Sequence, residues 1–271
     1  MSTSDQALSG IDPGIPNVAR IYDYFLGGKD NFAADRAAAA KIAEAAPGVV
    51  RRARENRAFL GRAVGFLAAA GVRQFLDIGT GLPTRENVHQ VAGRIAPGAR
   101  VAYVDNDPVV LTHARALLAT DPCTVAIEAD MRDPEVILGR ATENQFIDLK
   151  QPVAVLMIAV LHFLPDNDQA ARIVATFRDN MAAGSFLAIT HATAGTMSQD
   201  DLTQAMQTYA TTSAGSITPR SHDQIQAFFD GLELQTPGLV PVAHWRPSGL
   251  VPAVISGATF LGGVASKPGR L

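Results

Sequence analysis

The chain has 271 residues, 47% hydrophobic and 18% charged, so it can bury a full core and is not a disordered chain. A net charge of −3 and a sequence pI near 6.1 exclude a global field that would draw it to nucleic acid or an anionic membrane. One cysteine, Cys123, excludes a disulfide framework, and no apolar run is long enough to span a bilayer. The first residues, MSTSDQALSG, lack the apolar core of a signal peptide, so a cytoplasmic protein is expected.

Residues 1–14 read as a loose tail. The pattern predicts a helix from Asn17 to Leu26, stopped by Gly27-Gly28. Asp30 or Asn31 is placed to cap a second helix through Ala46, which Pro47-Gly48 ends. A third runs to about Ala70, with Phe59, Ala63, Phe66 and Leu67 on one face and Gly71 as its stop. Strands and helices then alternate. Strand 73–78 precedes a helix predicted from Pro83, with Val88, Val91, Ala92 and Ile95 buried. Strand 100–104 leads to a helix capped at Asp107-Pro108, with Leu111, Ala114, Leu117 and Leu118 facing inward. Strand 123–128 and a short helix from Asp133-Pro134 follow.

The run PVAVLMIAV, 152–160, is continuously apolar, as a central parallel strand covered on both faces requires. A helix over 168–182, a fifth strand in SFLAIT and a helix from Ser198 come next. Ser221-x-x-Gln224 is a capping box for a further helix ending at Gly231. LVPVAHW and PAVISGATFLGGVAS read as two last strands with no helix between them, hence antiparallel. The expected architecture is α/β: a Rossmann-like, seven-stranded, mostly parallel sheet with helices on both faces. Residues 1–71 form a helical N-terminal extension, and 72–271 form the sheet domain.

The stretch FLDIGTG, 75–81, is a buried strand ending in an acid and a glycine turn. In open α/β sheets ligands sit at the carboxyl ends of strands, and glycines there let the backbone approach them. The turn reads GTGLPT, so Thr84 stands where a dinucleotide fingerprint has its third glycine, and Pro83 removes a backbone donor. Asp77 also disfavours a pyrophosphate. A phosphate-free cationic ligand fits better, and S-adenosylmethionine is one, with Asp77 directed at its ammonium. Asp105, ending the second strand, reads as an acceptor for both ribose hydroxyls or as a turn residue. Asp107 reads as a helix cap, with an adenine-side contact as the second reading. Asp130 reads as an acceptor for an adenine amino group, with Met131 packed on the ring, or as a solvated loop acid.

These residues resemble motif I and the ribose and adenine acids of class I S-adenosylmethionine-dependent methyltransferases, over residues 73–271. NVARIYDYFLGGKDNFAADR (17–36), GTGLPTRENVHQVA (79–92), YVDNDPVVLTHAR (103–115) and PGLVPVAHWRP (237–247) together resemble the narrower actinobacterial S-adenosyl methyltransferase family, DUF574. The resemblance implies S-adenosylmethionine binding and methyl transfer to an unspecified acceptor. On this reading the cofactor-binding candidates on the sheet side are Asp77, Gly79, Thr80, Gly81, Asp105, Asn106, Asp130, Met131, Ala159 and His162. From the N-terminal segment they are Tyr22, Phe25, Gly27 and Asn31, where aromatics beside glycines read as a lid over the methionine half or as ordinary packing of a helix on the sheet. After strand four the chain reads AVLHFLPD instead of an Asn/Asp-Pro-Pro-aromatic motif, which argues against methylation of nucleic-acid bases.

Methyl transfer needs a base only if the acceptor must lose a proton. His162 reads as a cofactor or structural contact, a base, or packing; His191 is a second base candidate. Arg220, His222 and Trp245 are candidates for the acceptor side, or for packing and capping. Arg51, Arg52, Arg54, Arg57 and Arg62 have the spacing of a solvated helix face rather than a nucleic-acid surface. The histidines and the cysteine form no metal-ligand pattern, so no metal is expected. The expected function is methylation of oxygen or nitrogen on a small molecule. The alternative is a non-catalytic sensor of S-adenosylmethionine or S-adenosylhomocysteine. An NAD-linked oxidoreductase is disfavoured by the missing third glycine and the lack of a Tyr-x-x-x-Lys pair.

Overall fold

The computed structural model describes residues 12–83, 86–118, 121–250 and 259–269. Among the described residues three helices come first: α1 (Val18–Leu26), α2 (Ala33–Ala45) and α3 (Val49–Ala69). The alternating part follows as β1 (Gln74–Ile78), α4 (Val88–Ile95), β2 (Arg100–Asp105), α5 (Pro108–Leu118), β3 (Thr124–Glu128), α6 (Pro134–Thr142), β4 (Ala154–Ile158), α7 (Asn167–Asn180) and β5 (Phe186–Thr193). The chain ends with α8 (Gln199–Ala210), α9 (His222–Gln226), β6 (Glu233–Leu234), β7 (Val240–Pro241) and β8 (Thr259–Ser266). Among the described residues, no helix is long and apolar enough to cross a membrane.

The sheet order is β3-β2-β1-β4-β5-β8-β6, with β7 also on β8. Strands β1 to β5 are mutually parallel, and β8 runs antiparallel to β5. Strand order reverses between β1 and β4, which opens the crevice where ligands bind in such sheets. Strand side chains alternate between two cores, as their period of two demands. Leu76, Ile78, Val155, Met157 and Ile189 pack on α6 and α7 through Ile137, Ile173 and Phe177. Phe75, Ala154, Leu156 and Ala188 pack on α3 through Phe59, Ala63 and Leu67, with Trp245 in the same core. A third cluster joins Ile21 and Phe25 of α1 to Ala38, Ala39 and Ile42 of α2 and to Ala53 of α3.

Several boundaries differ from expectation. The α2 helix starts at Ala33, not at Asp30 or Asn31. Asp23 accepts from the Asp30 N–H and the Asn31 amide, so that stretch is bound back onto α1. The Asp35 carboxylate takes the Phe32 N–H instead. Similarly, α4 starts at Val88, not Pro83, because Glu86 has φ +62°, which no α-helix interior tolerates. In the tail, LVPVAHW supplies only the two residues of β7 before a 3-10 turn over Val242–His244. β6 was not anticipated, and the strand expected through PAVISG falls on 251–258, outside the described residues, as does most of the N-terminal tail. The side chains of Leu117 and Leu118 and the position of Thr84 are likewise not described.

Candidate active site

A cavity of about 850 Å³ lies at the carboxyl ends of β1, β2 and β4, beneath α1 and the start of α3. Its sheet side is built from the glycine turn. The N–H groups of Gly79 and Thr80 both donate to the Val104 carbonyl, at 2.8 and 3.1 Å, which pins the turn to β2. Gly79 has φ +68°, and a Cβ there would sit 2.3 Å from Val160 Cγ1, so only glycine fits. Thr80 Oγ1 donates to the Asp77 carboxylate at 2.9 Å. Asp105 accepts from the Gly81 N–H at 2.9 Å and the Asp107 N–H at 3.0 Å, so its orientation is set by backbone alone. Burial pushes Asp77 up to about 6 and also raises Asp105. Ala159, beyond β4, takes φ +58° and donates its N–H to Thr190 Oγ1 at 2.9 Å. That strained residue faces the cavity opposite Gly79.

The helical side is cross-linked by polar side chains. Asn17 caps α1, accepting from Ala19 and Arg20 N–H, and donates to Ser213 Oγ at 2.9 Å. Buried Arg20 pairs with Asp35 at 2.8 Å and lies 3.8 Å from Asp107 beside β2. Tyr22 donates its hydroxyl proton to the Ala53 carbonyl and accepts from Asn56, both at 2.9 Å; burial raises its pKa to about 12. Ala19 packs on Leu82, Val109 and Val110 next to the glycine turn. The far end is aromatic: Phe163, Tyr209, Phe260 and His162, with the 213–217 segment closing it. Buried His162 is held well below its usual pKa by desolvation, and its Nδ1 has no partner among the described residues.

Of the expected site residues, Tyr22, Phe25, Asp77, Gly79, Thr80, Gly81, Asp105, Asn106, Asp130, Met131, Ala159 and His162 line this cavity. Gly27 and Asn31 do not. Gly27 ends α1 in a left-handed conformation, and Asn31 is bonded to Asp23 and Gly28. Asp130 is at the cavity but is filled: Arg132 donates from its backbone and guanidinium, and Asn106 adds its amide. Arg132 holds that carboxyl below the usual range. An adenine amino group reaching Asp130 would take the place of one of these donors, the exposed Arg132 guanidinium among them.

His191 is not a base. Its Nδ1 faces the Ala192 carbonyl at 2.8 Å and must carry the proton; its Nε2 faces Arg220 at 2.9 Å and must accept. Both nitrogens are committed, and burial lowers its pKa to about 4. Arg220 is a structural clamp, donating also to the Leu161 and Leu164 carbonyls and to Asn167. Trp245 is core, against Phe59 and Phe66, and His222 is exposed on α9. None of the three lines the cavity.

Within the arginine run, Arg51 pairs with Glu55 on its own helix, while Arg52 binds the Ala46 and Pro47 carbonyls and Arg62 those of Val242 and Trp245. Arg57, by contrast, reaches the cavity together with Asn56. Sequence reasoning missed both, although an asparagine on the stripe Ala53-Asn56-Leu60-Ala63 was a visible signal: a polar residue where packing asks for an apolar one.

The sequence matches the family model described as S-adenosyl methyltransferase over residues 4–268. A crystal structure of a candidate methyltransferase from Thermobifida fusca is 41% identical, with TM-score 0.87, covering 96% of this chain and 97% of that one. A DUF574 family protein from Streptomyces avermitilis is 40% identical, with TM-score 0.85, covering 95% and 99%. A Bordetella parapertussis protein at 16% identity and TM-score 0.57, covering 97% and 85%, shares the fold alone. No curated protein matches the sequence. With the family model spanning nearly the whole chain, this protein belongs to the S-adenosyl methyltransferase family and is an S-adenosylmethionine-dependent methyltransferase.

Proposed function

We propose that the enzyme methylates an oxygen or nitrogen of a small molecule, with the cofactor lying along the cavity from Asp130 to His162. The observation that carries this reading is the polarity gradient of that cavity. Carboxylates, backbone donors and glycines occupy the sheet end, and aromatic rings with a neutral imidazole occupy the other. Two carboxylates at the sheet end, both raised in pKa by burial, suit a ligand carrying cationic and hydroxyl groups and repel one carrying phosphates.

In this assignment Asp105 accepts from the ribose hydroxyls, with the lone pairs that the Gly81 and Asp107 N–H groups leave free. Asp77 faces the ammonium. Asn106, Asp130 and Met131 form the adenine end, Asp130 acting by fixing Asn106 and Arg132 rather than by direct contact. When bound, S-adenosylmethionine supplies an electrophilic methyl group on a sulfonium. The residues of this chain contribute alignment and exclusion of water. Phe163, Tyr209 and Phe260 hold the acceptor's apolar body, and the unpartnered Nδ1 of His162 hydrogen-bonds its reacting group. Burial keeps that imidazole neutral near pH 7, so it orients an O–H or N–H without adding charge. Residues 1–71 serve as the cover over the 72–271 core, with α1 and α3 closing the methionine side.

Asp105→Ala tests the assignment. The variant should lose the thermal stabilisation that S-adenosylhomocysteine gives the unaltered enzyme while keeping its far-ultraviolet circular dichroism. A stabilisation equal to that of the unaltered enzyme would remove the ribose role. Incubation with methyl-labelled cofactor and a cell extract then identifies the acceptor. Label found only in nucleic acid or protein would overturn the small-molecule reading.

A further inference from the structure

The helix α3 carries a polar pair at the cavity, Asn56 and Arg57, whose hydrogen bonds to Tyr22, Glu86 and Asn87 use only part of their polar atoms. Asn56 is 1% exposed, on the same stripe as Ala53, Leu60 and Ala63, which are also buried. Its amide orientation follows from its neighbours. The Ala53 carbonyl can only accept, so the Tyr22 hydroxyl proton is committed to it. The Tyr22 oxygen therefore accepts from Asn56, which turns the amide nitrogen toward Tyr22 and leaves Oδ1 on the other side. That Oδ1 is buried and has no partner among the described residues. A buried carbonyl oxygen without a donor costs free energy, and this one belongs to a residue of the cavity wall.

Arg57, the next residue, lines the same cavity. One of its terminal nitrogens, Nη2, donates to the Glu86 carbonyl and the Asn87 side chain. Its Nε and Nη1 make no hydrogen bond to described residues. Its charge lies close enough to Asp77 and Tyr22 to lower the pKa of both. Around one corner of the cavity there are thus an unpartnered acceptor, a carboxylate and a guanidinium with donors to spare. An ammonium needs acceptors and negative charge, and a carboxylate needs a guanidinium. The complement of this corner is an α-amino acid in its zwitterionic form.

We propose that Asn56 and Arg57 recognise the amino-acid end of S-adenosylmethionine, Asn56 Oδ1 accepting from the ammonium beside Asp77 and Arg57 binding the carboxylate. This rests on the reading that the cavity holds the cofactor with its methionine half under α1 and α3. It makes α3, rather than the lid helix alone, the element that distinguishes the intact cofactor from a nucleoside thioether lacking the amino acid.

The test is titration calorimetry of S-adenosylhomocysteine and 5′-methylthioadenosine, which share the nucleoside and the sulfur but differ in the amino-acid end. The proteins are the unaltered enzyme, Asn56→Leu, Arg57→Met and Arg57→Lys. Asn56→Leu and Arg57→Met should each weaken S-adenosylhomocysteine about tenfold or more, while methylthioadenosine changes less than about twofold. Arg57→Lys should recover part of the loss. Equal losses with both ligands would show a merely structural role and overturn the proposal, as would unchanged S-adenosylhomocysteine binding. If the buried Asn56→Leu variant does not fold, the half-buried Arg57 variants carry the same test. If the unaltered enzyme binds neither ligand, the cavity assignment itself falls, an outcome distinct from a failure of the two residues.

Discussion

On the sheet side of the cavity, Asp105 is held by backbone N–H groups of Gly81 and Asp107, the latter two residues away in sequence. On the helical side, Tyr22 is held by Ala53 and Asn56, 31 and 34 residues distant, and Asn17 reaches Ser213 across 196 residues. The first wall is made by strand ends and turns, where backbone N–H groups hold Asp105 and the Thr80 hydroxyl holds Asp77. The second exists only once α1, α2, α3 and the 213–217 segment have docked. Preorganisation on the sheet side therefore comes largely from backbone N–H groups bonding between neighbouring parallel strands and their turns. On the helical side it is shared among side chains that each depend on a distant partner. The two histidines repeat the contrast: His191 has both nitrogens occupied inside the core, and His162, 5.5 Å away between ring centroids, lines the cavity with a buried Nδ1 that has no partner among the described residues.

The sharpest way to break this contrast is to add a methyl group to Gly79 of the sheet wall and to Gly27, which ends the helix α1 outside the cavity lining. Gly79→Ala meets both the left-handed backbone and the Val160 side chain, so urea denaturation should show a loss of about 3 kcal/mol or more. Gly27→Ala meets only the backbone term, since nothing lies near its added Cβ, and should cost about 1 kcal/mol. Equal costs would mean that the sheet wall yields as readily as the end of α1.

Next comes pH. His191 titrates near 4 when folded and at its ordinary value of 6.5 when unfolded. The unfolded chain then binds more protons between those values, so this group's contribution is complete above pH 6.5 and is lost as pH falls toward 4. It amounts to about 3 kcal/mol over the whole window. Asp77 opposes it. Its folded pKa is raised to about 6 from 3.8, so its contribution is present below 3.8 and lost as pH rises through 6. The change in denaturation midpoint from pH 5 to pH 7.5 should be less positive in His191→Gln than in the unaltered enzyme, the linkages of His162, Asp77 and Asp105 being common to both; an unchanged difference would place the proton elsewhere.

For the same reason Asp77→Asn should stabilise the ligand-free enzyme at pH 7.5 by roughly 2 kcal/mol, while weakening S-adenosylhomocysteine. Destabilisation would show that the Thr80 hydrogen bond outweighs burial of the charge. The smallest effect belongs to Tyr22→Phe. It deletes the bonds to Ala53 and Asn56 at constant shape, costing about 1 kcal/mol and weakening the ligand a few-fold. If affinity is untouched, the helical wall is packing and not part of the binding site.

The sequence alone determined the elements whose causes are local. Strands β1 to β5, the glycine stops at Gly27 and Gly71 and the Ser221 capping box depend on neighbours a few residues away, and they appear where expected. Two strand-end acids, Asp77 and Asp105, could be placed at the cavity because parallel strands present their carboxyl ends on one edge. Tertiary structure decided what required knowing a partner. Whether Asp130 was free, whether His191 had a lone pair and whether Arg220 faced the cavity all turned on side chains that folding brought alongside. The helix α3 makes the same point from the other direction. Its arginines looked alike in sequence, yet Arg52 and Arg62 clamp backbone carbonyls while Arg57 and its neighbour Asn56 reach the cavity. A helix repeats every 3.6 residues and so reveals which residues share a face, but what that face meets is set by long-range packing.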